Sequence, residues 1–241
     1  MSATNFTRRL LDARQTGLLL GPGPEPDSPE EAYAVQRLTC EGLGESVAGW
    51  KVADHPRLGP IAAPIFAGMS KVEGGSWPVG PGLGVEIEIA LWLKRDLAPG
   101  SYTRTMIAEA LDGYSLGVEM VGGRLAEPDR NLFAFLGDLM ANRGYVMGAE
   151  RNVWRDLAVP GRTCRFRIDG RILYDAPAAP PALDPLGATA AWLSRGNDAL
   201  GGLKAGQFVT TGSVCGIVPV PGPGAALAEI EGIGAVQLTL A

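Results

Sequence analysis

The run Val85-Glu86-Ile87-Glu88-Ile89-Ala90-Leu91-Trp92-Leu93 constrains this chain more than any other stretch. It is apolar with strong β-propensity, apart from two carboxylates at alternate positions, so it reads as a strand. Side chains alternate faces along a strand, which puts Glu86 and Glu88 on the same side. Two anions there repel, and burying even one is costly unless something positive pairs with it. A divalent cation is the simplest partner. The alternative is an edge strand whose glutamate face lies in water.

Composition narrows the choice. The chain has 241 residues, 46% hydrophobic and 20% charged, which suits one large globular domain or a domain with an appendage. Net charge is −5 and the basic residues are scattered, which argues against a nucleic-acid partner. No apolar run approaches the ~20 residues a membrane helix needs. Ser2 to Arg14 is polar and lacks the apolar centre of a signal peptide. A cytoplasmic protein without a membrane partner is therefore expected. Three widely spaced cysteines, Cys40, Cys164 and Cys215, argue against a disulfide framework or a zinc knuckle. His55 is the single histidine, so a bound metal would be held by oxygen, favouring Mg²⁺ or Mn²⁺.

In chain order, residues 4–16 read as a short helix stopped by Gly17, and a Gly/Pro-rich loop follows. Ser28 is an N-cap candidate, with Pro29 in the first turn and Glu31 completing a capping box, for a helix reaching about Gly42. Residues 1–45 are expected to form a small helical appendage, and 46–241 a β-rich body. Val47 to Val52 reads as a strand carrying Lys51, whose ammonium either reaches water or faces an anionic substrate. Asp54-His55-Pro56 is expected to turn the chain, and His55 is either a surface histidine or a general base. Residues 61–69 are small and apolar. Gly80-Pro81-Gly82-Leu83-Gly84 lacks the lysine-serine signature of a phosphate loop. Residues 103–112 look helical. Tyr114 to Val121 reads as a strand holding a third carboxylate, Glu119, among apolar neighbours. Leu132 to Met140 looks helical and Tyr145 to Gly148 extended. Cys164 to Ile168, Asp169-Gly170 and Arg171 to Tyr174 make a hairpin. Asp184-Pro185 opens a helix. Four closing strands are expected at Gln207–Thr211, Val214–Val220, Leu227–Glu231 and Ala235–Leu240. Between the first two, Thr210-Thr211-Gly212-Ser213 offers hydroxyls and N–H groups to a carboxylate, or is a hydroxyl-rich turn.

The order of Ala32-Tyr33-Ala34-Val35-Gln36, Gly49-Trp50-Lys51-Val52, Glu86-Ile87-Glu88-Ile89-Ala90, Arg95-Asp96-Leu97, Leu116-Gly117-Val118-Glu119, Tyr145-Val146-Met147-Gly148, Thr211-Gly212-Ser213 and Ile230-Glu231-Gly232-Ile233-Gly234 resembles the hydratase/decarboxylase branch of the fumarylacetoacetate hydrolase superfamily. The resemblance runs from about Glu31 to Leu240. It implies an α+β fold with a mixed, barrel-like β core behind the N-terminal helices, and a homo-oligomer. It implies a metal on Glu86, Glu88 and Glu119, with Lys51 acting at the substrate. It also implies small 2-keto acid substrates that chelate the metal and react through an enolate. Asp138 and Asn142 fall in the segment matching the family's Asp-Asn-Ala-Ser stretch, and with Thr211, Gly212 and Ser213 are the expected substrate contacts.

The chain also departs from the pattern. Hydratases of this branch carry Pro-Asp-Phe-Gly after the lysine strand, and its aspartate joins the lysine in proton transfer. Here Ala62-Ala63-Pro64-Ile65-Phe66-Ala67 occupies that region with no acid. Asp54 and His55 are the nearest titratable groups in sequence. The family's Gly-His-Pro-Leu-Asn becomes Leu183-Asp184-Pro185-Leu186-Gly187. The expected activity is a metal-dependent lyase of the 2-keto-4-pentenoate hydratase or 4-oxalocrotonate decarboxylase type. An acylpyruvate-type C–C hydrolase using His55 and a non-catalytic 2-keto acid binder are the alternatives.

Overall fold

The computed structural model describes residues 2–127, 131–153, 159–179, 184–196, 200–210 and 212–241. Two helices come first, α1 (Ser2–Thr16) and α2 (Pro29–Leu43). The second is capped as its sequence suggests: Ser28 Oγ accepts from the Glu31 N–H at 3.2 Å, and Gly44 ends the helix at φ 65°. The Glu31 carboxylate returns one residue beyond the usual capping box, to the Asp27 N–H at 3.2 Å. Phe6 and Leu10 of α1 pack with Val35 of α2 against Leu125 and Ala134, so the helices share one apolar cluster with the body.

The body contains two sheets. The first uses β1 (Val47–His55), β2 (Gly59–Phe66), β3 (Ser70–Val72), β5 (Gly84–Leu93), β6 (Leu111–Val121), β7 (Asn142–Met147), β10 (Phe208–Thr210) and β11 (Val218–Pro219). Its order is β2-β1-β10-β5-β6-β7-β3, with β11 on the early end of β5. Pairing is mixed: β1–β10 and β3–β7 are parallel, the rest antiparallel. The second sheet runs β4 (Ser76–Trp77), β13 (Gly234–Leu240), β12 (Gly224–Ile230), β8 (Thr163–Ile168), β9 (Arg171–Pro177). Among the described residues the body also has the short α-helices α3 (Arg104–Glu109), α4 (Leu132–Gly137) and α5 (Pro185–Ser194).

Strand alternation decides where the core lies. Val85, Ile87, Ile89, Leu91 and Leu93 of β5 join Leu116, Val118 and Met120 of β6 and meet Phe166, Ala228, Val236 and Leu238 of the second sheet. Burying side chains of this size stabilises by roughly 1.5–3 kcal/mol each before chain entropy is subtracted. The opposite face of β5, carrying Glu86 and Glu88, turns into the curl of the first sheet. The fold is thus the expected α+β arrangement around a curled, mixed sheet.

Several local expectations are corrected. The strand β2 replaces an unassigned apolar stretch; Pro60 and Pro64 weaken its sequence signal, and both fit because β2 is an edge strand. The helix expected to reach residue 112 stops at Glu109, because Leu111 and Gly113 pair with Leu93 and Trp92. β1 continues through His55, so the turn falls at residues 56–58 rather than at Asp54. Of Val214–Val220, Val218–Pro219 alone is a strand, since Gly212 and Gly216 hold φ of 83° and 69° and bend the chain away. Helix α4 ends at Gly137. Leu139, Met140 and Ala141 then take φ of 57°, 54° and 63°, a left-handed turn costing roughly 1–2 kcal/mol per residue. Burial of Leu139 and Met140 offsets that cost.

Candidate metal centre

Register brings the acidic side chains together. Glu86 of β5 lies directly opposite Glu119 of β6, which lies opposite Tyr145 of β7. Glu88 heads the next row, facing Gly117 and then Met147. One oxygen of each glutamate lies within 4.8 Å of the others. Ligand oxygens on opposite sides of one divalent cation stand about 4–5 Å apart. From the other flank, Lys51 pairs with Thr210 and Thr210 with Ala90, so Lys51 projects onto the same face. Its Nζ lies 2.9 Å from Glu119 Oε1 and 3.3 Å from Glu86 Oε2.

The charge here is not balanced by side chains alone. Glu88 and Glu119 are 0% exposed, and Lys51 is the cation that reaches them among the described residues. Both Glu88 oxygens and Glu119 Oε2 are buried without a well-formed hydrogen bond, although the Thr210 hydroxyl is nearby. Burial, then Glu119 and Glu86, push the Glu88 carboxyl well above its ordinary value. Burial likewise raises Glu119, while Lys51 pulls it back. For Lys51 burial acts downward, yet the Glu119, Glu86 and Glu88 carboxylates outweigh it and hold the ammonium above its usual range. Orphaned carboxylate oxygens converging from two strands are what a divalent, oxygen-seeking cation satisfies.

Beside this site lies a second buried pair that the sequence did not announce. Arg124 gives Nη1 to Asp138 Oδ1 at 3.0 Å, its backbone N–H to Asp138 Oδ2 at 2.6 Å, and Nη2 to the Asn142 carbonyl at 2.6 Å. Asp138 is thereby committed to Arg124, and Asn142 is delivered to the acidic cluster: its Nδ2 donates to Glu119 Oε1 at 3.0 Å. A bulge at Gly144, φ 154°, shifts the register between β6 and β7 and puts Asn142 and Tyr145 on the same side. A Cβ at position 144 would meet Trp77 at 2.1 Å, so glycine is required.

The remaining candidates are placed as follows. Ser213 Oγ donates to the Gly216 carbonyl at 2.9 Å and accepts from Cys215 N–H, which spends it on its own turn. Gly212 supplies the left-handed bend, and Val214 ties this loop to β5 through Ile87. Thr211 lies outside the described residues. His55 Nδ1 accepts from the Arg57 and Leu58 N–H groups and closes the turn after β1, and Asp54 is exposed. Neither is brought to the carboxylates by any contact described. Thr210 and Tyr145 face the site; the first belongs to the hydroxyl stretch noted above, and the second was legible only as part of a strand.

No family model matches the chain. The chain is 30% identical over 256 aligned positions to 2-keto-4-pentenoate hydratase of Burkholderia vietnamiensis, covering 99% of this chain and 97% of that one. The chain belongs to the hydratase/decarboxylase branch of the fumarylacetoacetate hydrolase superfamily. A second member, 2-keto-4-pentenoate hydratase of Paraburkholderia phymatum, is 29% identical over 251 positions, with 97% and 95% coverage. Among solved structures, 4-oxalocrotonate decarboxylase from Pseudomonas putida, complexed with magnesium and adipate, superposes with a TM-score of 0.83 at 17% identity, covering 99% and 97% of the two chains. That likeness shows the family's fold. Among the described residues no helix is long and apolar enough to cross a membrane.

Proposed function

We propose that the chain is a divalent-metal-dependent lyase acting on a small 2-keto acid through an enolate, of the 2-keto-4-pentenoate hydratase or 4-oxalocrotonate decarboxylase kind. The observation that carries this reading is the buried convergence of Glu86, Glu88 and Glu119 with unsatisfied oxygens beside Lys51. The 30% identity to a named hydratase supports the same chemistry. Glu86, Glu88 and Glu119 would hold Mg²⁺ or Mn²⁺. When bound, such an ion supplies Lewis acidity, polarising the keto oxygen and stabilising negative charge on it. Lys51 keeps a proton at Nζ next to the reacting atoms and balances part of the carboxylate charge. Asn142 fixes Glu119 in orientation. The surrounding apolar wall of Ile65, Ala90, Met147 and Phe208 excludes water from the same face.

The acylpyruvate hydrolase alternative needs a base for water, and the one histidine is engaged in closing a turn. Product analysis separates the reactions. With Mg²⁺ and a panel of 2-keto acids, a hydroxylated keto acid or CO₂ is expected. Pyruvate plus a carboxylic acid would move the protein to the hydrolases, and absence of turnover across the panel would contradict an enzymatic role.

A further inference from the structure

We propose that the Tyr145 hydroxyl donates a hydrogen bond to the oxygen of the bound 2-keto acid on which negative charge develops. This rests on the function proposed above and assigns a role within it. Tyr145 Oη is buried and has no hydrogen-bond partner, a costly state for a hydroxyl that folding has placed deliberately. Its position is set by a missing side chain. Gly117 lies directly opposite Glu88, and a Cβ there would meet the Tyr145 ring at 2.1 Å and its hydroxyl at 2.3 Å. The phenol therefore occupies the space a residue 117 side chain would fill. Directly opposed positions on paired strands are close neighbours, so the hydroxyl lies beside Glu88, close enough to feel the charges of Glu88, Glu119 and Glu86. The Phe208 ring, 5.0 Å away between centroids, holds the phenol in place.

Among the described residues the other side-chain donors on this face are mostly engaged. Lys51 directs two of its three N–H groups to Glu119 and Glu86 and keeps one for the substrate, Asn142 Nδ2 serves Glu119 and the Gly144 carbonyl, and Trp92 Nε1 serves Ser115 Oγ at 2.9 Å. Ionised carboxylates only accept. Among the described residues, a ligand oxygen beside Glu88 thus finds two hydroxyls without partners, those of Tyr145 and Thr210. The Thr210 hydroxyl is drawn to Glu88 itself, whereas the phenol is rigid and free to meet the ligand. A donor fixed where charge appears stabilises the enolate more than the ground-state ketone.

The test uses Tyr145→Phe in the full chain, with oxalate as the planar dianionic mimic of the enolate. Calorimetry measures Mn²⁺ affinity, then oxalate affinity with Mn²⁺ present, and thermal melting is recorded without ligand. The variant is expected to melt no lower than the wild type, since the hydroxyl it loses has no partner. Its Mn²⁺ affinity should stay within about twofold, and its oxalate affinity should fall roughly 10–100-fold, the worth of one hydrogen bond to a charged acceptor. Unchanged oxalate affinity overturns the assignment, as does a loss confined to Mn²⁺ affinity, which would make Tyr145 a support for Glu88. If the wild type binds no oxalate with Mn²⁺, the proposed function itself fails.

Discussion

Two clusters of buried charge stand side by side in this molecule, joined through Asn142, and they are satisfied in opposite ways. Around Asp138 both carboxylate oxygens are taken by Arg124, whose other arm holds the Asn142 carbonyl. Around Glu88 three carboxylates share one ammonium, and several buried oxygens have no partner. In the first cluster the carboxylate is fully partnered, and the surplus charge is positive: buried Arg14, close to Asp138 and Arg124, keeps Nε and Nη2 without partners. The second is complete only with something bound. Burial and acidity alone do not separate a structural carboxylate from a functional one; the count of partners does.

Stability measurements should split the clusters most strongly. Replacing Arg124 with Met removes the guanidinium bonds to Asp138 and the Asn142 carbonyl, leaving Asp138 the backbone N–H of residue 124 and the nearby charges of Arg14 and Arg143, and is expected to destabilise the protein by up to about 3–5 kcal/mol in denaturant unfolding. Glu88→Gln puts a neutral side chain where burial already disfavours charge, and should leave the metal-free protein as stable as the wild type or more so. The same change should weaken Mn²⁺ binding by on the order of 100-fold or more, since even partners outside the ligand shell cost 10–100-fold, and should abolish turnover. Equal destabilisation by both substitutions would erase the distinction.

The pH response sharpens it further. Burial, Glu119 and Glu86 raise the Glu88 carboxyl above 4.5, so the folded state holds a proton that the unfolded chain has lost. Stability of the metal-free protein should therefore fall as pH rises from about the ordinary carboxylate range towards the folded value, by at most about 1.4 kcal/mol per pH unit for this group. Metal affinity should rise over the same interval, because the ligand binds deprotonated. The Lys51 shift acts elsewhere: its stabilising contribution is present below the lysine reference of 10.5 and is lost only in alkali. Both trends are read from melting curves and calorimetry across pH, and a flat response between mildly acidic and neutral pH would contradict the Glu88 assignment. The smallest effect is expected at His55, which closes a turn. Changing it to Ala should alter kcat by under about twofold, and a larger loss would restore it as a base.

The parts legible in the sequence were those with a short-range signature. Alternation along residues 85–93 exposed Glu86 and Glu88, and a lone acid between Val118 and Met120 exposed Glu119. Ser28 and Pro29 announced the start of α2 because a cap is chemistry within four residues. What was hidden depends on register. Nothing local says that Gly117 faces Glu88 or that Tyr145 reaches across it; that follows from the pairing of three strands and a bulge at Gly144. Arg124 was equally silent, because one of its partners, the Asn142 carbonyl, arrives through a left-handed turn of non-glycine residues that no propensity favours. Asp138, one of the expected substrate contacts, is bonded to that arginine.

The account's central claim is that Glu86, Glu88 and Glu119 seat one divalent cation, and anomalous scattering from a crystal grown with Mn²⁺ tests it most directly. A single strong peak within bonding distance of all three carboxylates, lost in Glu88→Gln, is the result expected. A peak elsewhere, or none among these side chains at saturating Mn²⁺, would contradict it.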